Sequence, residues 1–151
     1  MASDLSEIKL KPIGVVSNRV KKAPGASYQW EKVVSEIEID GSLTGALDGL
    51  EEFSHIIVLY WMHQYAGGRA PTRVHPRQNQ ELPLVGVFAS RSPNRPNSVG
   101  KATVRLLQHR GNVLRVKGLD AVDGTPVIDI KPYLPGYDSA ARARVPQWAK
   151  D

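Results

Sequence analysis

Hydrophobic and polar residues alternate along much of this chain with the period of a β-strand. In segment 33–40 the odd positions form one face, made of Val33, Ser35, Ile37 and Ile39, and the even positions are mostly acidic. This alternation predicts a half-exposed strand. Segment 56–62 is apolar on both faces and rich in β-branched and aromatic residues, which predicts a central strand covered on both sides.

The remaining pattern predicts a chain made mainly of short strands. Further strands are expected at 8–16, 84–89, 102–109, 113–119 and 127–130, and Arg110-Gly111-Asn112 reads as a hairpin turn. Apolar residues at helical spacing in 43–53 indicate a short helix or helical turn, and segment 67–83 is expected to be a long loop rich in Gly and Pro. Six or seven strands without alternating helices favour a mainly β fold, a small β-barrel with one or two short helices.

Length and composition indicate one soluble domain. We expect a flexible N-terminus at 1–7, a single domain at 8–138 and a weakly structured C-terminal tail at 139–151. The absence of cysteine excludes disulfides and thiol catalysis and fits a cytoplasmic protein. No signal peptide or membrane-spanning run is recognised, and the four histidines lack metal-ligand spacing, so no metal site is expected.

Charge is segregated along the chain, whose net charge is +5. Segment 33–68 has six acidic residues and no Lys or Arg, whereas segment 69–117 has ten Lys or Arg and one acid, Glu81. Such segregation favours a positive face that binds phosphate groups, as in a nucleic acid. The alternative is that the two blocks pair with each other across the fold.

Several polar segments are candidates for chemistry. No phosphate-binding loop or dinucleotide fingerprint is present. Segment 89–100 combines arginines, asparagines and hydroxyls between prolines, and such a loop offers donors to phosphate, carboxylate or base edges; it could also be a solvated turn. His63-Gln64 follows the predicted central strand and could equally be an ordinary strand terminus. Tyr133 could stack a base or border the core.

These segments together resemble the TrmO family of S-adenosylmethionine-dependent tRNA methyltransferases, also called YaeB-like or UPF0066 proteins. The resemblance is carried by blocks in the family's order: 13–16 (IGVV), 49–56 (GLEEFSHI), His63-Gln64, 86–100 (GVFASRSPNRPNSVG), 118–120 (GLD) and 123–135 (DGTPVIDIKPYLP). Two departures are that the first loop reads Pro24-Gly25-Ala26, where a larger residue and Gln usually follow Pro, and that Ser98-Val99 replaces a more usual Pro-Ile or Pro-Val. Longer members continue into a C-terminal domain.

The resemblance implies a dimerising β-barrel that binds S-adenosylmethionine and methylates N6 of threonylcarbamoyladenosine in the tRNA anticodon loop. The cofactor-binding residues carried over from the family motifs are Pro24, Gly25, Ala26, His63, Gln64, Arg91, Asp120, Ala121 and Val122. No metal is implied.

Roles within that chemistry follow from residue type. A group must accept the proton of the poorly nucleophilic N6, and the candidates, which the sequence does not rank, are His63, Asp120, Asp129 and Tyr133. The candidates for binding substrate are Arg91, Arg95 and Lys131 for the threonyl carboxylate, Arg69 and Arg73 for phosphates, and Asn97. The alternatives are a methyltransferase acting on a small molecule or other acceptor, a non-catalytic S-adenosylmethionine-binding protein, and a purely structural dimeric barrel.

Overall fold

The protein forms a closed antiparallel β-barrel in the computed structural model, which describes residues 5–150. Six strands build the barrel: β1 (Gly14–Ser17), β2 (Val34–Ile39), β3 (His55–Trp61), β6 (Val99–Arg110), β7 (Val113–Lys117) and β8 (Pro126–Pro132). They pair in the order β1-β2-β7-β6-β3-β8, and β8 closes the ring by pairing with β1. Closure leaves no unpaired strand edge in the barrel, and it confirms the predicted fold class.

The barrel interior is filled by the alternate side chains that the strand pattern selects. In β2 the buried residues are Ser35, Ile37 and Ile39, while the acidic positions between them are exposed, as predicted. Side chains from the other strands complete the core, among them Val16, Ile56, Val58, Val104, Leu114, Val116 and Val127. Most of the apolar surface that stabilises this fold is therefore buried inside the ring.

Strand β3 is the central strand that its apolar sequence predicts. It pairs with β6 along its whole length and with β8 on the other side. Its pairing with β8 shifts register between Leu59 and Tyr60, and such irregularities redirect side chains near functional sites. The strand runs from His55 to Trp61 and then leads into His63 and Gln64.

Helical structure in residues 5–150 is limited to short 3-10 segments and one turn of α-helix. The short helix or helical turn predicted at 43–53 takes the form of two 3-10 segments, Gly41–Leu47 and Leu50–Glu52. They are separated at Gly49, whose φ of 87° is left-handed and cannot continue a helix. The α-helix of the described residues is one short turn, α1 (Pro135–Asp138).

Three expectations at the barrel's periphery were wrong in their extent. The first strand begins at Gly14 rather than at residue 8, and Ile8 is 82% exposed, so its apolar side chain belongs to no strand face. The expected strand 84–89 is only β5 (Val85–Gly86), followed by a 3-10 turn. The expected loop 67–83 contains β4 (Arg73–Val74), which pairs with β5 in a small separate sheet.

The two termini were expected to lack regular structure. Residues 5–13 are without helix or strand, and residues 1–4 of the expected flexible N-terminus lie outside the described part of the chain. The expected tail contains a 3-10 turn, Gln147–Ala149, and only residue 151 of it is not described.

Candidate functional site

A large cleft lies where β3 ends. Its volume is about 1320 Å³, and its walls come from distant parts of the chain: 23–26, 62–65, 73–78, 88–95, 99–101, 120–122 and 148–149, with further single residues between them. These segments are mostly loops that follow or precede barrel strands. Binding and catalytic residues commonly lie on loops that a rigid scaffold positions, which makes this cleft the candidate site.

The first wall of the cleft is the loop after β1, and Gln64 holds it in place. Gln64 Oε1 accepts a hydrogen bond from the backbone N–H of Ala23 at 3.0 Å. Its Nε2 donates to the backbone carbonyl of Lys21, also at 3.0 Å. The amide therefore bridges the end of β3 to the loop that carries the predicted cofactor residues Pro24 to Ala26.

Segment 120–122, which lines the cleft, is held in place by Asn18. The Asn18 side-chain Nδ2 donates to the carbonyl of Ala121 at 2.8 Å and to Ser35 Oγ at 2.9 Å. Its backbone N–H donates to Asp123 Oδ1 at 2.9 Å, and Lys21 Nζ lies 3.0 Å from Asp123 Oδ2. One asparagine thus ties segment 120–123 to the ends of β1 and β2.

The floor of the cleft holds a tyrosine–aspartate pair. Tyr60 Oη donates to Asp120 Oδ1 at 2.6 Å, and Tyr60 is only 3% exposed. Burial, followed by the charge of Asp120, raises the pKa of Tyr60 well above its ordinary value. Burial of its carboxyl group also raises the pKa of Asp120, although the residue as a whole faces the open cleft and is exposed; the Tyr60 hydrogen bond and the charge of Arg91 act in the opposite direction.

The arginine-rich loop between β5 and β6 forms the cationic side of the cleft. Arg95 Nη1 donates to the carbonyls of Ser90 at 3.1 Å and Ser92 at 2.9 Å, so this guanidinium partly braces its own loop. Arg91 is exposed in the cleft, and its Nη2 donates to the carbonyl of Lys101 at 3.2 Å. The charge of Arg91 acts on Asp120, and its remaining N–H groups can donate to an oxygen of a bound ligand.

His63 contributes an unpaired ring nitrogen. Its Nδ1 is buried, and within residues 5–150 it has no hydrogen-bond partner. A buried polar atom without a partner costs free energy unless a water or a ligand satisfies it. Since His63 lines the cleft, a bound ligand can supply that partner.

The structure brings together all the predicted cofactor-binding residues, whereas the predicted substrate-binding residues and proton acceptors are only partly in the cleft. The nine cofactor candidates line one cleft: Pro24, Gly25, Ala26, His63, Gln64, Arg91, Asp120, Ala121 and Val122. Among the substrate candidates, Arg73, Arg91 and Arg95 line it too, whereas Arg69, Asn97 and Lys131 lie outside its lining.

Two of the four proton-acceptor candidates lie away from the cleft. Asp129 forms an ion pair with Lys131 at 2.9 Å on β8. The intervening Ile130 packs against the core, so both charged groups face outward. Tyr133 donates its backbone N–H to His55 at the start of β3 and makes an edge contact with the His55 ring, at the opposite end of that strand from His63.

Several lining residues carried no clear signal in the sequence. Tyr60 reads as part of an apolar strand, and Trp148 lies in the tail expected to be weakly structured; both line the cleft. Arg77 and Gln78 also line it and have left-handed φ values of 56° and 57°. Non-glycine residues in this conformation are uncommon and concentrate at functional sites. The sequence around Pro76 indicates a turn, but it does not indicate that Arg77 and Gln78 adopt this left-handed conformation.

Residues 5–150 contain no cluster of three His, Asp or Glu side chains that could hold a metal ion. Over the same range, none of the helices has the length and apolar character needed to cross a bilayer.

The fold and cleft define a class of proteins, closed antiparallel barrels that present a polar ligand cleft at one end. The family described as the tRNA-methyltransferase O N-terminal domain matches residues 15–139. The chain therefore belongs to the TrmO family, as its sequence motifs indicated.

Relatives and solved structures agree with this membership. A protein of Methanothermobacter thermautotrophicus, named a probable S-adenosyl-L-methionine-binding protein, is 48% identical over 135 residues, which cover 88% of this chain and 95% of the relative. The mouse protein named tRNA (adenine(37)-N6)-methyltransferase is 42% identical over 94 residues, covering 62% of this chain and 22% of that protein. The crystal structure of TrmO from Pseudomonas aeruginosa has a TM-score of 0.74 and 31% identity, and it covers 92% of this chain, which spans 62% of that one.

Proposed function

We propose that this protein is an S-adenosylmethionine-dependent methyltransferase that methylates N6 of threonylcarbamoyladenosine in the anticodon loop of tRNA, in the cytoplasm. The observation that carries the proposal is the convergence on one cleft of nine residues from four separate segments of the chain, between Pro24 and Val122. The name of the mouse relative, a tRNA adenine(37)-N6 methyltransferase, supports the reaction class.

The residues of the cleft fit the cofactor's chemistry. When bound, S-adenosylmethionine supplies an electrophilic methyl group on a sulfonium. The carboxylate of Asp120 would provide an acceptor for the cofactor's ammonium or hydroxyl groups. A side chain added at Gly25 would meet no atom within 4 Å, so the loop backbone there is open to an approaching ligand.

Proton removal from the substrate nitrogen favours His63 among the four candidates. His63 and Asp120 line the cleft, whereas Asp129 and Tyr133 do not. One oxygen of Asp120 already accepts the Tyr60 hydroxyl, while Nδ1 of His63 has no partner among the described residues. A neutral imidazole nitrogen can take up the proton, and the walls of the cleft would hold the reacting atoms close and exclude water.

The cations around the cleft suit a tRNA loop. Arg73, Arg91 and Arg95 line it and offer donors to the threonyl carboxylate and to phosphates. A base in a loop is cheap to unstack, which allows it to enter such a cleft. Arg69 is exposed just before β4 and would extend the phosphate contacts.

Association of two barrels is part of the proposal. Phe88 is 78% exposed and Leu84 56% exposed, and both border the cleft. Large apolar side chains in the open are typical of an interaction surface, which supports the homodimer implied by the family resemblance.

A second candidate function is S-adenosylmethionine binding without catalysis. It is favoured by relatives that match over most of their length and are named as binding proteins, such as the 48% identical archaeal protein. This candidate needs the cofactor residues of the cleft but not the arginines.

The deciding experiment offers the protein labelled S-adenosylmethionine and two tRNA pools, one that contains threonylcarbamoyladenosine and one that lacks it. Label in the first pool alone is the expected result, with His63→Ala as the variant expected to lose turnover. Label in neither pool, with cofactor binding verified by calorimetry, would favour the binding protein. Label in both pools would contradict the proposed substrate base.

A further inference from the structure

We propose that Tyr60 is a positioning residue whose hydroxyl fixes the Asp120 carboxylate at the floor of the cleft, and that Gly100 is the glycine that makes room for it. The inference rests on the proposed function, in which Asp120 contacts the cofactor. Tyr60 acts through Asp120, because its hydroxyl at the cleft is bonded to the Asp120 carboxylate.

Tyr60 has two environments within one side chain. Its ring belongs to the barrel core, and the residue is 3% exposed. Its hydroxyl reaches the cleft and donates to Asp120 Oδ1 at 2.6 Å, with a longer contact of 3.2 Å to the Asp120 carbonyl. A phenylalanine would fill the same core volume, so filling the core does not explain the hydroxyl.

Strand β6 makes room for the Tyr60 ring because it has a glycine, Gly100, opposite Tyr60. Gly100 pairs directly with Tyr60 across β3 and β6. A Cβ built on Gly100 would overlap the Cε2 and Cζ atoms of the Tyr60 ring. Any other residue at position 100 would therefore displace the ring and move its hydroxyl away from Asp120.

The hydrogen bond from Tyr60 matters because the surroundings of Asp120 have opposing effects on the charge of its carboxyl group. Burial of the carboxyl group favours its neutral form, whereas the Tyr60 hydrogen bond and the Arg91 charge favour the anion. The titratable and charged side chains that line the cleft with it are His63, Tyr65, Arg73, His75, Arg77, Arg91, Arg95 and Lys101. With Arg91, Tyr60 keeps an oriented anion available, and removing the hydroxyl both frees the carboxylate to rotate and favours its protonation.

The test compares Tyr60→Phe with the wild type, using S-adenosylhomocysteine as the probe in calorimetry from acidic to neutral pH. We expect about tenfold weaker binding at neutral pH, since a hydrogen bond to a charged group is lost. The acid limb of the affinity profile should move to higher pH. Gly100→Ala should act in the same direction, and Tyr137→Phe, on a tyrosine that is 87% exposed, is the matched control and should change nothing.

A double-mutant cycle separates positioning from structure. If Tyr60 acts through Asp120, Tyr60→Phe added to Asp120→Asn should weaken binding no further than Asp120→Asn alone. Additive losses, or a Tyr60→Phe variant that melts earlier but keeps wild-type affinity and pH profile, would overturn the inference.

A cofactor-free measurement distinguishes this inference from the proposed function. NMR titration of the Asp120 carboxyl should show a higher apparent pKa in Tyr60→Phe, and an unchanged titration would overturn the inference. If the wild type fails to bind S-adenosylhomocysteine while Tyr60→Phe still shifts the Asp120 titration, the proposed function fails and the coupling of the two residues stands.

Discussion

Replacing Gln64 with alanine should weaken cofactor binding without unfolding the barrel. The Gln64 amide makes two hydrogen bonds of 3.0 Å to the backbone of the loop after β1, one at Ala23 and one at Lys21. Both bonds are exposed, and neither belongs to the barrel core. The substitution therefore releases the loop that carries Pro24 to Ala26, while the pairing of the strands is untouched.

The magnitude follows from those two bonds. A neutral hydrogen bond contributes about 0.5–1.5 kcal/mol net, and exposed bonds lie toward the lower end of that range. Losing both allows the loop to open at a cost of about 1–2 kcal/mol to binding, which is about five- to thirtyfold in affinity. The free energy of global unfolding should change by less than about 0.5 kcal/mol, as is usual for surface positions.

Calorimetry with S-adenosylhomocysteine measures the affinity, and hydrogen exchange at the Ala23 amide measures the loop. Gln64→Ala should accelerate exchange at Ala23 in the free protein, and Gln64→Glu, which keeps the acceptor and loses the donor, should fall between alanine and wild type. Gln108→Ala, an exposed glutamine far along β6, is the control. Wild-type affinity together with wild-type protection at Ala23 would refute the assignment of Gln64 as the support of this loop.

Two further predictions concern the core and the tail. Leu114→Ala should lower the free energy of unfolding by about 2–5 kcal/mol in urea titration, because Leu114 is fully buried; Leu107→Ala, 44% exposed, should cost far less, and equal losses would contradict the description of the core. Trp148→Ala should weaken binding of the cofactor or of tRNA severalfold with little change in melting temperature, because its ring lines the cleft from outside the barrel. Trp148→Phe should restore most of that loss, and unchanged binding of both ligands by Trp148→Ala would show that the tail only borders the site.

The barrel could be predicted from the sequence because its strands obey a local rule. Inward and outward positions alternate in β2, and the hairpin of β6 and β7 has a turn at Gly111, whose φ of 58° is left-handed. The extent of the peripheral strands could not be predicted in the same way. The apolar residues Ile8 and Leu10 continue the pattern of β1, but they are exposed, because the barrel supplies no partner strand there.

Only part of the site could be predicted from the sequence, because the rest depends on contacts between residues that are far apart along the chain. Motif residues such as His63, Arg91 and Asp120 could be named from the family resemblance, and they converge on the cleft. The hydrogen bond that joins Tyr60 to Asp120 spans 60 positions in sequence, and no local pattern encodes such a contact. Trp148 lines the cleft because the C-terminal tail places it there. The tail sequence has no periodic pattern from which this position could be predicted.

Stability and site geometry rest on different side chains in this fold. The apolar interior of the ring, with residues such as Leu114, holds the strands together, whereas the cleft is lined mostly by irregular loops. Polar side chains hold these loops in place: Asn18 and Gln64 donate hydrogen bonds to backbone carbonyls of the loops, and Tyr60 donates one to Asp120. Because catalysis depends on loops held close to their productive geometry, substitution of these three polar side chains should change binding more than melting temperature, and substitution of the core should do the reverse.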